Sequence, residues 1–331
     1  MVKNKTINIG IVGLGPISTV RHIPSLLQIE GVKIKGICAR SRTQERLELA
    51  NSIGATFYQD YPRMVKSESL EAVYICSPTV HHREMAELAF ERDLHVFCEK
   101  PIAMDIDSAE AICSAAQRSS RILFLGYNRR HSPTYRKVKQ FSEHRKVHIL
   151  LLEKARSNLV NTSKAAFDEK ARKEVDIMGT DLLEFGSHFV DLAKWICGDV
   201  IKTHFSRSEI EGITACPGNG VAVFEHKSGS TTMMYLTQAG GEPREHSVAI
   251  SDDSTCETFG GMFEKSSVRI TRGDAVEEFH SSDNTVEAGG FVEENREFIA
   301  AVQSGDVSPC DSQDIVDTLR LSLEWEGRSK K

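Results

Sequence analysis

One short turn, Gly13-Leu14-Gly15-Pro16-Ile17-Ser18, constrains the fold most, because it joins an apolar strand-like run, residues 7–12, to a helical pattern, residues 16–28. In a dinucleotide-binding fingerprint the first glycine permits the tight turn and the second lets the backbone approach a pyrophosphate. The helix that follows offers N–H donors and a favourable dipole to that anion. A glycine-rich turn without a ligand is the alternative, but the strand-to-helix context favours a dinucleotide. The expected contacts are Gly13, Gly15, Pro16, Ile17 and Ser18.

The first third of the chain alternates short apolar runs with helical segments, which predicts a doubly wound parallel sheet of the Rossmann type. The predicted strands are residues 7–12, 33–38, 72–76, 95–98 and 122–125. The predicted helices between them are residues 16–28, 43–52, 83–92 and 108–119. We therefore predict a dinucleotide-binding domain over residues 1–126.

After Gly126 the pattern changes to one strand, residues 146–155, one long helix, residues 180–196, and a series of evenly spaced short strands. Those strands are residues 221–225, 231–236, 247–251, 256–260, 267–271 and 275–280. Such spacing predicts an antiparallel or mixed sheet, so the fold class is α/β with a second α/β domain over residues 127–331. Residues 290–303 and 311–326 return to helix, and we expect helix 311–326 to pack back on the first domain.

Composition excludes several classes of function. The net charge of −6 argues against nucleic-acid binding, which needs a surplus of Lys and Arg. No apolar run approaches the roughly 18 residues of a membrane span. The eight cysteines form no CxxC pair, so neither structural zinc nor a disulfide framework is expected, and no other metal site is predicted. A reducing cytoplasm is the expected location.

The end of the second predicted strand bears on the choice of nicotinamide cofactor. An NAD site usually has Asp or Glu at this point, whereas this chain has Ala39-Arg40-Ser41-Arg42. Arg40 or Arg42 and the Ser41 hydroxyl are suited to bind a 2′-phosphate, which a carboxylate would repel. The sequence thus favours NADP over NAD. The alternative is that these arginines are only solvated residues at a helix start.

The segment Glu99-Lys100-Pro101 follows the strand predicted at residues 95–98. A residue at the carboxyl end of a strand in an open α/β sheet lies where ligands bind. Lys100 there can hydrogen-bond a reacting oxygen and assist proton transfer. Because an X-Pro bond has access to the cis form, Pro101 can fix the lysine locally.

Glu184 and His188 have the spacing i, i+4 within the long predicted helix, so they are expected on one helical face. Oxidation of a C–OH group needs a base for the hydroxyl proton, and histidine suits that role near neutral pH. Glu184 would orient substrate hydroxyls or tune the imidazole. The alternative is a packed helix histidine that forms an ordinary ion pair with Glu184.

In these segments the chain strongly resembles the glucose–fructose oxidoreductase, inositol dehydrogenase and rhizopine catabolism protein (Gfo/Idh/MocA) family. The resemblance extends over nearly the whole chain, and five segments that carry it occur in the family's order. They are Gly13-Leu14-Gly15, Ile75-Cys76-Ser77-Pro78-Thr79 with His82, Val96-Phe97-Cys98-Glu99-Lys100-Pro101, Gly126-Tyr127-Asn128-Arg129-Arg130, and Glu184-Phe185-Gly186-Ser187-His188-Phe189-Val190-Asp191.

The resemblance implies a Rossmann domain and a C-terminal α/β domain whose large, open, mostly antiparallel sheet commonly mediates homodimers or homotetramers. It also implies cofactor contacts at Ser77, Thr79, His82, Glu99 and Lys100. Typical reactions of the family oxidise a ring hydroxyl of a sugar or cyclitol, or reduce the corresponding ketone. One departure is Glu184, because the family usually has Asp at this position.

We therefore predict an NAD(P)-dependent oxidoreductase that transfers a hydride between nicotinamide and a ring hydroxyl or ketone of a sugar, cyclitol or sugar derivative. Lys100 and His188 would handle the proton, and Glu184 would orient the polyol. Further candidates for substrate contact are Tyr127, Arg156 and Asn158. The alternative is a catalytically silent NAD(P)-binding sensor or regulatory protein, which the Glu184 departure favours.

Overall fold

The structure is a computed structural model that describes residues 6–156, 164–211, 219–239, 243–260, 265–305 and 312–328. The chain divides into two compact units. The first unit comprises residues 1–126 and 291–319, and the second comprises residues 127–290 and 320–331.

The helices are α1 (Ile23–Leu26), α2 (Gln44–Ile53), α3 (Tyr61–Ser67), α4 (His82–Phe90), α5 (Ile106–Ser119), α6 (Pro133–His144), α7 (Lys164–Met178), α8 (Asp181–Glu184), α9 (Gly186–Cys197), α10 (Thr285–Ala288), α11 (Phe291–Ser304) and α12 (Ser312–Glu326). A π-helical turn, Ile17–His22, leads directly into α1. Side-chain caps explain several helix starts: Thr43, Asp60 and Asp105 each accept a backbone N–H from the first turn of the following helix.

The first unit contains a six-stranded parallel sheet. Its strands are β1 (Ile7–Val12), β2 (Val32–Cys38), β3 (Thr56–Tyr58), β4 (Ala72–Ile75), β5 (His95–Cys98) and β6 (Leu123–Leu125). The strand order β3-β2-β1-β4-β5-β6 reverses direction at β1, which is the doubly wound Rossmann arrangement. The inner strands are buried on both faces, since β4 has no exposed residue and β1 has only one half-buried residue.

The second unit contains an eight-stranded sheet in the order β14-β13-β12-β11-β7-β10-β9-β8. These strands are β7 (Ile149–Ala155), β8 (Val200–Ser208), β9 (Asn219–His226), β10 (Thr231–Thr237), β11 (Arg244–Ile250), β12 (Thr255–Phe259), β13 (Ser267–Arg272) and β14 (Ala275–His280). All neighbouring strands are antiparallel except β7 and β10, which are parallel.

One face of this second sheet packs against α6 and α9, where alternate strand residues such as Leu150, Phe224 and Met234 join the core. The intervening residues of the central strands lie on the other face and are half-buried or exposed. We call this other face the open face; its apolar residues on the central strands are Ile149, Leu151, Val221, Val223, Met233, Val248 and Ile250.

The predicted fold class is confirmed, and every element predicted in the first unit is found within two residues of its predicted ends. The long helix predicted at residues 180–196 is wrong as a single element, because Phe185 interrupts it between α8 and α9. At this break Gly186 lies so close to Trp325 that a Cβ would meet its ring at 3.0 Å. Six elements were not predicted: β3, α3, α6, α7, β8 and α10.

Candidate functional site

The two glycines of the turn after β1 differ in the space around them: Gly13 is closely packed, whereas Gly15 has free space beside it. Gly13 has a φ of +92°, and a Cβ there would lie 2.4 Å from the carbonyl group of Cys76. At Gly15 a Cβ would meet nothing within 4 Å. The turn therefore requires glycine at position 13 for its own geometry, while position 15 leaves free space above the backbone, as close approach of a pyrophosphate demands.

Ser18, which replaces the third small residue of the fingerprint, is buried within the turn. Its hydroxyl is the donor to two carbonyl oxygens, that of Gly13 at 2.6 Å and that of Gly15 at 2.9 Å. Pro16 and Ile17 precede it at the start of the π-helical turn. The Ser18 side chain thus closes the loop internally, and the turn presents backbone groups to a ligand.

The tip of β2 carries arginines and no carboxylate from Ala39 to Arg42. Arg40, Ser41 and Arg42 are exposed. The guanidinium of Arg46, on the first turn of α2, donates to the Ser41 carbonyl oxygen at 2.6 Å and to the Ser41 hydroxyl. Arg46 is not among the predicted cofactor residues, although its position in the first turn of a helix capped by Thr43 places it near the end of β2.

His82, at the start of α4, is buried among backbone carbonyls. Its Nε2 lies 2.9 Å from the Ser77 oxygen and its Nδ1 lies 3.0 Å from the Pro101 oxygen. Burial lowers the pKa of this imidazole, although the backbone contacts act in the opposite direction. His82 therefore ties the loop after β4 to the loop after β5. Of the other predicted contacts here, Thr79 is buried and Ser77 is half-buried.

The segment Glu99-Lys100-Pro101 has its two charged side chains in different environments. Glu99 is buried: its Oε1 lies 2.8 Å from His22 Nε2, and its Oε2 accepts the backbone N–H of Lys100 at 3.0 Å. Burial raises the pKa of Glu99, but His22 and Lys100 outweigh it and lower the pKa overall. Lys100 is half-buried, and the Lys100-Pro101 peptide is cis. The Glu99 carboxylate thus faces His22 in the interior.

The first unit brings most of the predicted cofactor residues to one edge of its sheet. The glycine turn follows β1, the Ser77 to His82 segment follows β4, and Lys100 follows β5. These three strands are neighbours, so their carboxyl ends share the edge where open α/β sheets bind ligands. The free space at Gly15 and the amide groups of the turn fit a dinucleotide pyrophosphate.

In the second unit His188 is 2% exposed and lies on α9 with its ring 5.9 Å from that of Tyr127, in an edge-to-face arrangement. Glu184 is the last residue of α8 and is half-buried, so the two predicted partners belong to separate helices. Asp191, one turn beyond His188, binds Arg130 through contacts of 2.6 to 2.9 Å. Tyr127 is buried.

Phe185, at the break between α8 and α9, is stacked against a basic residue of the β7 end. The guanidinium carbon of Arg156 lies 3.8 Å from the centroid of the Phe185 ring, a cation–π distance. The Lys154 ammonium lies 5.8 Å from the same ring. The third predicted substrate residue, Asn158, lies outside the described residues.

A buried ionic network under the second sheet was not predicted. Arg129 binds both carboxylate oxygens of Glu245 at 2.7 and 2.6 Å, Lys154 binds one at 2.6 Å, and the Tyr135 hydroxyl donates to the other at 3.2 Å. Burial would raise the pKa of Glu245, but Arg129 and Lys154 hold it well below its usual range. Arg129 and Glu245 are 116 residues apart, so no local pattern marks the pair.

Two further observations concern the described residues as a whole. Within the ranges that the structure covers, no group of three or more His, Cys, Asp or Glu side chains is arranged to hold a metal ion. In the same part of the chain, none of the helices has the length and apolar character needed to cross a membrane.

Comparison with known proteins gives matches to oxidoreductases. Residues 7–127 match the Gfo/Idh/MocA model, described as an oxidoreductase family with an NAD-binding Rossmann fold. An uncharacterised oxidoreductase, YrbE, of Bacillus subtilis is 28% identical over 54% of the chain and 56% of its own length. Myo-inositol 2-dehydrogenase of Thermotoga maritima is 26% identical over 61% of the chain and 58% of its own length. The chain thus spans little more than half the length of these two relatives.

The solved structures show the same fold over nearly the whole chain. A 3-ketoreductase of Actinomadura kijaniata, KijD10, in complex with NADP and TDP-benzene superposes with a TM-score of 0.79 at 20% identity. The superposition covers 96% of each chain. Residues 7–127 thus match the NAD-binding Rossmann region of the Gfo/Idh/MocA oxidoreductase family, and the named relatives are similar to this chain.

Proposed function

We propose that the protein transfers a hydride between a nicotinamide dinucleotide and a hydroxyl or ketone carbon of a sugar, cyclitol or sugar derivative. The observation that carries this proposal is the edge shared by the glycine turn, the Ser77 to His82 segment and Lys100. It places an amine at the same edge as a turn suited to a pyrophosphate. The myo-inositol dehydrogenase and ketoreductase activities named for similar proteins support the substrate class.

In the proposed reaction the side chains act on the oxygen of the reacting carbon. Lys100 donates a hydrogen bond to that oxygen and stabilises the charge that develops on it. His188 accepts the hydroxyl proton during oxidation and returns it during reduction. Glu184 binds neighbouring hydroxyls of the substrate, with Tyr127, Arg156 and Asn158 as further candidates for contact. When bound, the nicotinamide supplies the carbon that accepts or gives the hydride.

We propose NADP as the preferred cofactor. The supporting observation is the cluster of Arg40, Arg42 and Arg46 around Ser41, with no carboxylate from Ala39 to Arg42. Guanidinium groups bind the negatively charged 2′-phosphate of NADP through paired hydrogen bonds. The ribose 2′-hydroxyl of NAD is uncharged and gains no such ionic interaction. The double variant Arg40→Ala/Arg46→Ala should weaken NADPH binding at least tenfold in calorimetric titration and leave NADH binding unchanged. Equal losses for both cofactors would contradict the proposal.

The central test of the function is turnover on a panel of sugars, cyclitols and keto-sugars, followed by nicotinamide absorbance. Removal of a proton-transfer group typically costs about 10²–10⁴-fold in rate. Lys100→Ala and His188→Ala should each show a loss in that range with folding intact. Lys33→Ala, which removes an exposed lysine of β2, is the matched control and should retain full activity.

A catalytically silent cofactor-binding protein is the second candidate, favoured by the near-complete burial of His188 and by glutamate at position 184. Cofactor binding without turnover across the whole panel would select this candidate. Failure to bind either cofactor would overturn both. The cytoplasmic location, expected from the cysteines, stays a prediction.

We also propose that the protein forms a homodimer or homotetramer through the open face of the second sheet. Its residues Ile149, Val221 and Met233 are 37%, 45% and 45% exposed, which leaves an apolar patch on adjacent strands. Met233→Glu should shift the mass measured by light scattering towards the monomer. The control is Val20→Glu in the first unit, where the valine is similarly exposed at 53%. A monomeric wild-type protein would refute this assembly.

A further inference from the structure

Lys100 is connected to the interior of the first unit by an unbroken chain of hydrogen bonds. Its backbone N–H donates to Glu99 Oε2, and Glu99 Oε1 meets His22 Nε2 at 2.8 Å. On the far side of the imidazole, His22 Nδ1 lies 3.2 Å from Asn295 Oδ1 on α11. Three buried side chains, from the π-helical turn, the β5 end and α11, therefore meet behind the lysine.

The contacts of Asn295 determine which way its amide points. Its Nδ2 donates to the Ser25 hydroxyl at 3.0 Å and to the Phe291 carbonyl oxygen at 2.7 Å. Both amide protons are thus used, and only Oδ1 is left to face His22. His22 Nδ1 must then donate its proton to Asn295 Oδ1. Because a carboxylate only accepts, Nε2 has to donate to Glu99 Oε1, so this arrangement needs a proton on each ring nitrogen.

Aromatic rings on three sides fix the plane of the His22 imidazole. The ring centroids of Phe97, Tyr74 and Phe291 lie 4.9, 5.6 and 5.7 Å from that of His22. A ring held by packing and by a hydrogen bond at each nitrogen has no alternative rotamer, so it fixes the Glu99 carboxylate that it binds.

His22 is also the last residue of the π-helical turn that opens at the phosphate-binding glycine turn. The same short segment therefore carries the groups suited to a pyrophosphate at one end and the support of Lys100 at the other. Since a misplacement of about 1 Å can cost about 10²-fold in rate, the fixed distance between these two features matters for hydride transfer.

We propose that His22 is a positioning residue, which acts through Glu99 to hold Lys100 at a fixed place relative to the cofactor turn. This rests on the proposed function in one respect: the catalytic consequence requires that Lys100 assists hydride transfer. The placement of Lys100 itself does not depend on that reaction, so the two can be tested separately.

The first test separates rate from cofactor binding. His22→Leu removes both hydrogen bonds, and we expect the single-turnover rate to fall at least tenfold while the dissociation constant of the cofactor changes less than threefold. His22→Gln keeps a donor for Glu99 and should recover the rate to within threefold of the wild type. The matched control is His95→Gln, at the opposite end of β5. A wild-type rate in His22→Leu, or no recovery in His22→Gln, would overturn the proposal.

The second test needs no substrate. Lysines are labelled by reductive ¹³C-methylation, and the Lys100 resonance is assigned by its loss in Lys100→Arg. We expect His22→Leu to shift this resonance and His22→Gln to leave it in place, with the other lysine signals unchanged. An unmoved Lys100 resonance in His22→Leu would refute the positioning role. A shifted resonance in a protein without turnover would refute the proposed function and leave the positioning role standing.

Discussion

At the scale of single residues, the two glycines of the glycine turn have different structural roles. A Cβ at Gly13 would collide with the backbone of Cys76, and its φ of +92° is unfavourable for any other residue. Because backbone atoms cannot rotate away, Gly13→Ala should lower the free energy of unfolding by about 2–5 kcal/mol. Denaturant titration measures this loss.

Gly15→Ala provides the matched comparison, since open space surrounds that position. Its free energy of unfolding should change by less than about 1 kcal/mol. The added methyl group would occupy the space through which a pyrophosphate approaches, so cofactor affinity should fall at least tenfold in calorimetry. An affinity equal to the wild type would argue against this path of approach.

Glu245 supports a second prediction at this scale. Removing one partner from a buried ion pair typically costs about 3–5 kcal/mol, because the remaining charge is left uncompensated. Glu245→Gln leaves the Arg129 and Lys154 charges buried without their carboxylate and should lose stability in that range. Glu278→Gln, in an exposed pair with Arg269, is the control and should change stability by no more than about 1 kcal/mol. Similar effects of the two substitutions would contradict the prediction.

Residue-level features of the site were predictable where the information is local. The glycine turn, Lys100 and the arginines after β2 all sit at positions that strand and helix patterns can locate. The contact of Glu99 with His22 was not predictable, because the two residues are 77 positions apart. The contact of His22 with Asn295 was not predictable either, since it spans 273 positions. The contact of Glu99 with the cofactor stays a prediction; in the structure its carboxylate faces His22.

At the scale of elements, the predictions succeeded where burial imposes a strong periodicity. β3 was missed because it has three residues, and β8 because most of its residues are exposed and alternate weakly. The break at Phe185 escaped because residues 181–197 keep a helical pattern throughout. The close approach of Gly186 to Trp325 at this break joins residues more than a hundred positions apart, which no local pattern marks.

The close packing of Gly186 against Trp325, at the break between α8 and α9, can be tested by substitution. Gly186→Ala would place a methyl group 3.0 Å from the Trp325 ring and should cost about 1–3 kcal/mol. Trp325→Leu removes the obstructing ring, so Gly186→Ala should cost less in that background. A double-mutant cycle in denaturant measures the coupling. Additive effects of the two substitutions would show that the Trp325 ring does not limit the space at Gly186.

At the scale of the whole molecule, buried histidines in both units predict how stability depends on pH. Burial lowers the pKa of His82 in the first unit and of His226 in the second. The unfolded chain, with histidine pKa values of about 6.5, then binds more protons than the folded chain just below that pH. The free energy of unfolding should therefore be steady above about pH 7 and decrease as the pH falls through about 6.5.

His226 allows the effect to be assigned to one group. Its Nδ1 faces the Gly198 carbonyl oxygen and its Nε2 faces the Thr232 hydroxyl, each at 2.8 Å, an arrangement that suits a neutral ring. His226→Gln can keep both hydrogen bonds without titrating, so its stability should depend less steeply on pH between about 7 and 5. Unfolding by guanidinium chloride at several pH values gives the slope of the free energy of unfolding against pH for the wild type and for the variant. The carboxylates Glu99 and Glu245 do not interfere in this pH range, because their pKa values are lowered and they titrate only at lower pH. Equal slopes for the wild type and the variant would mean that groups other than His226 control the loss of stability in acid.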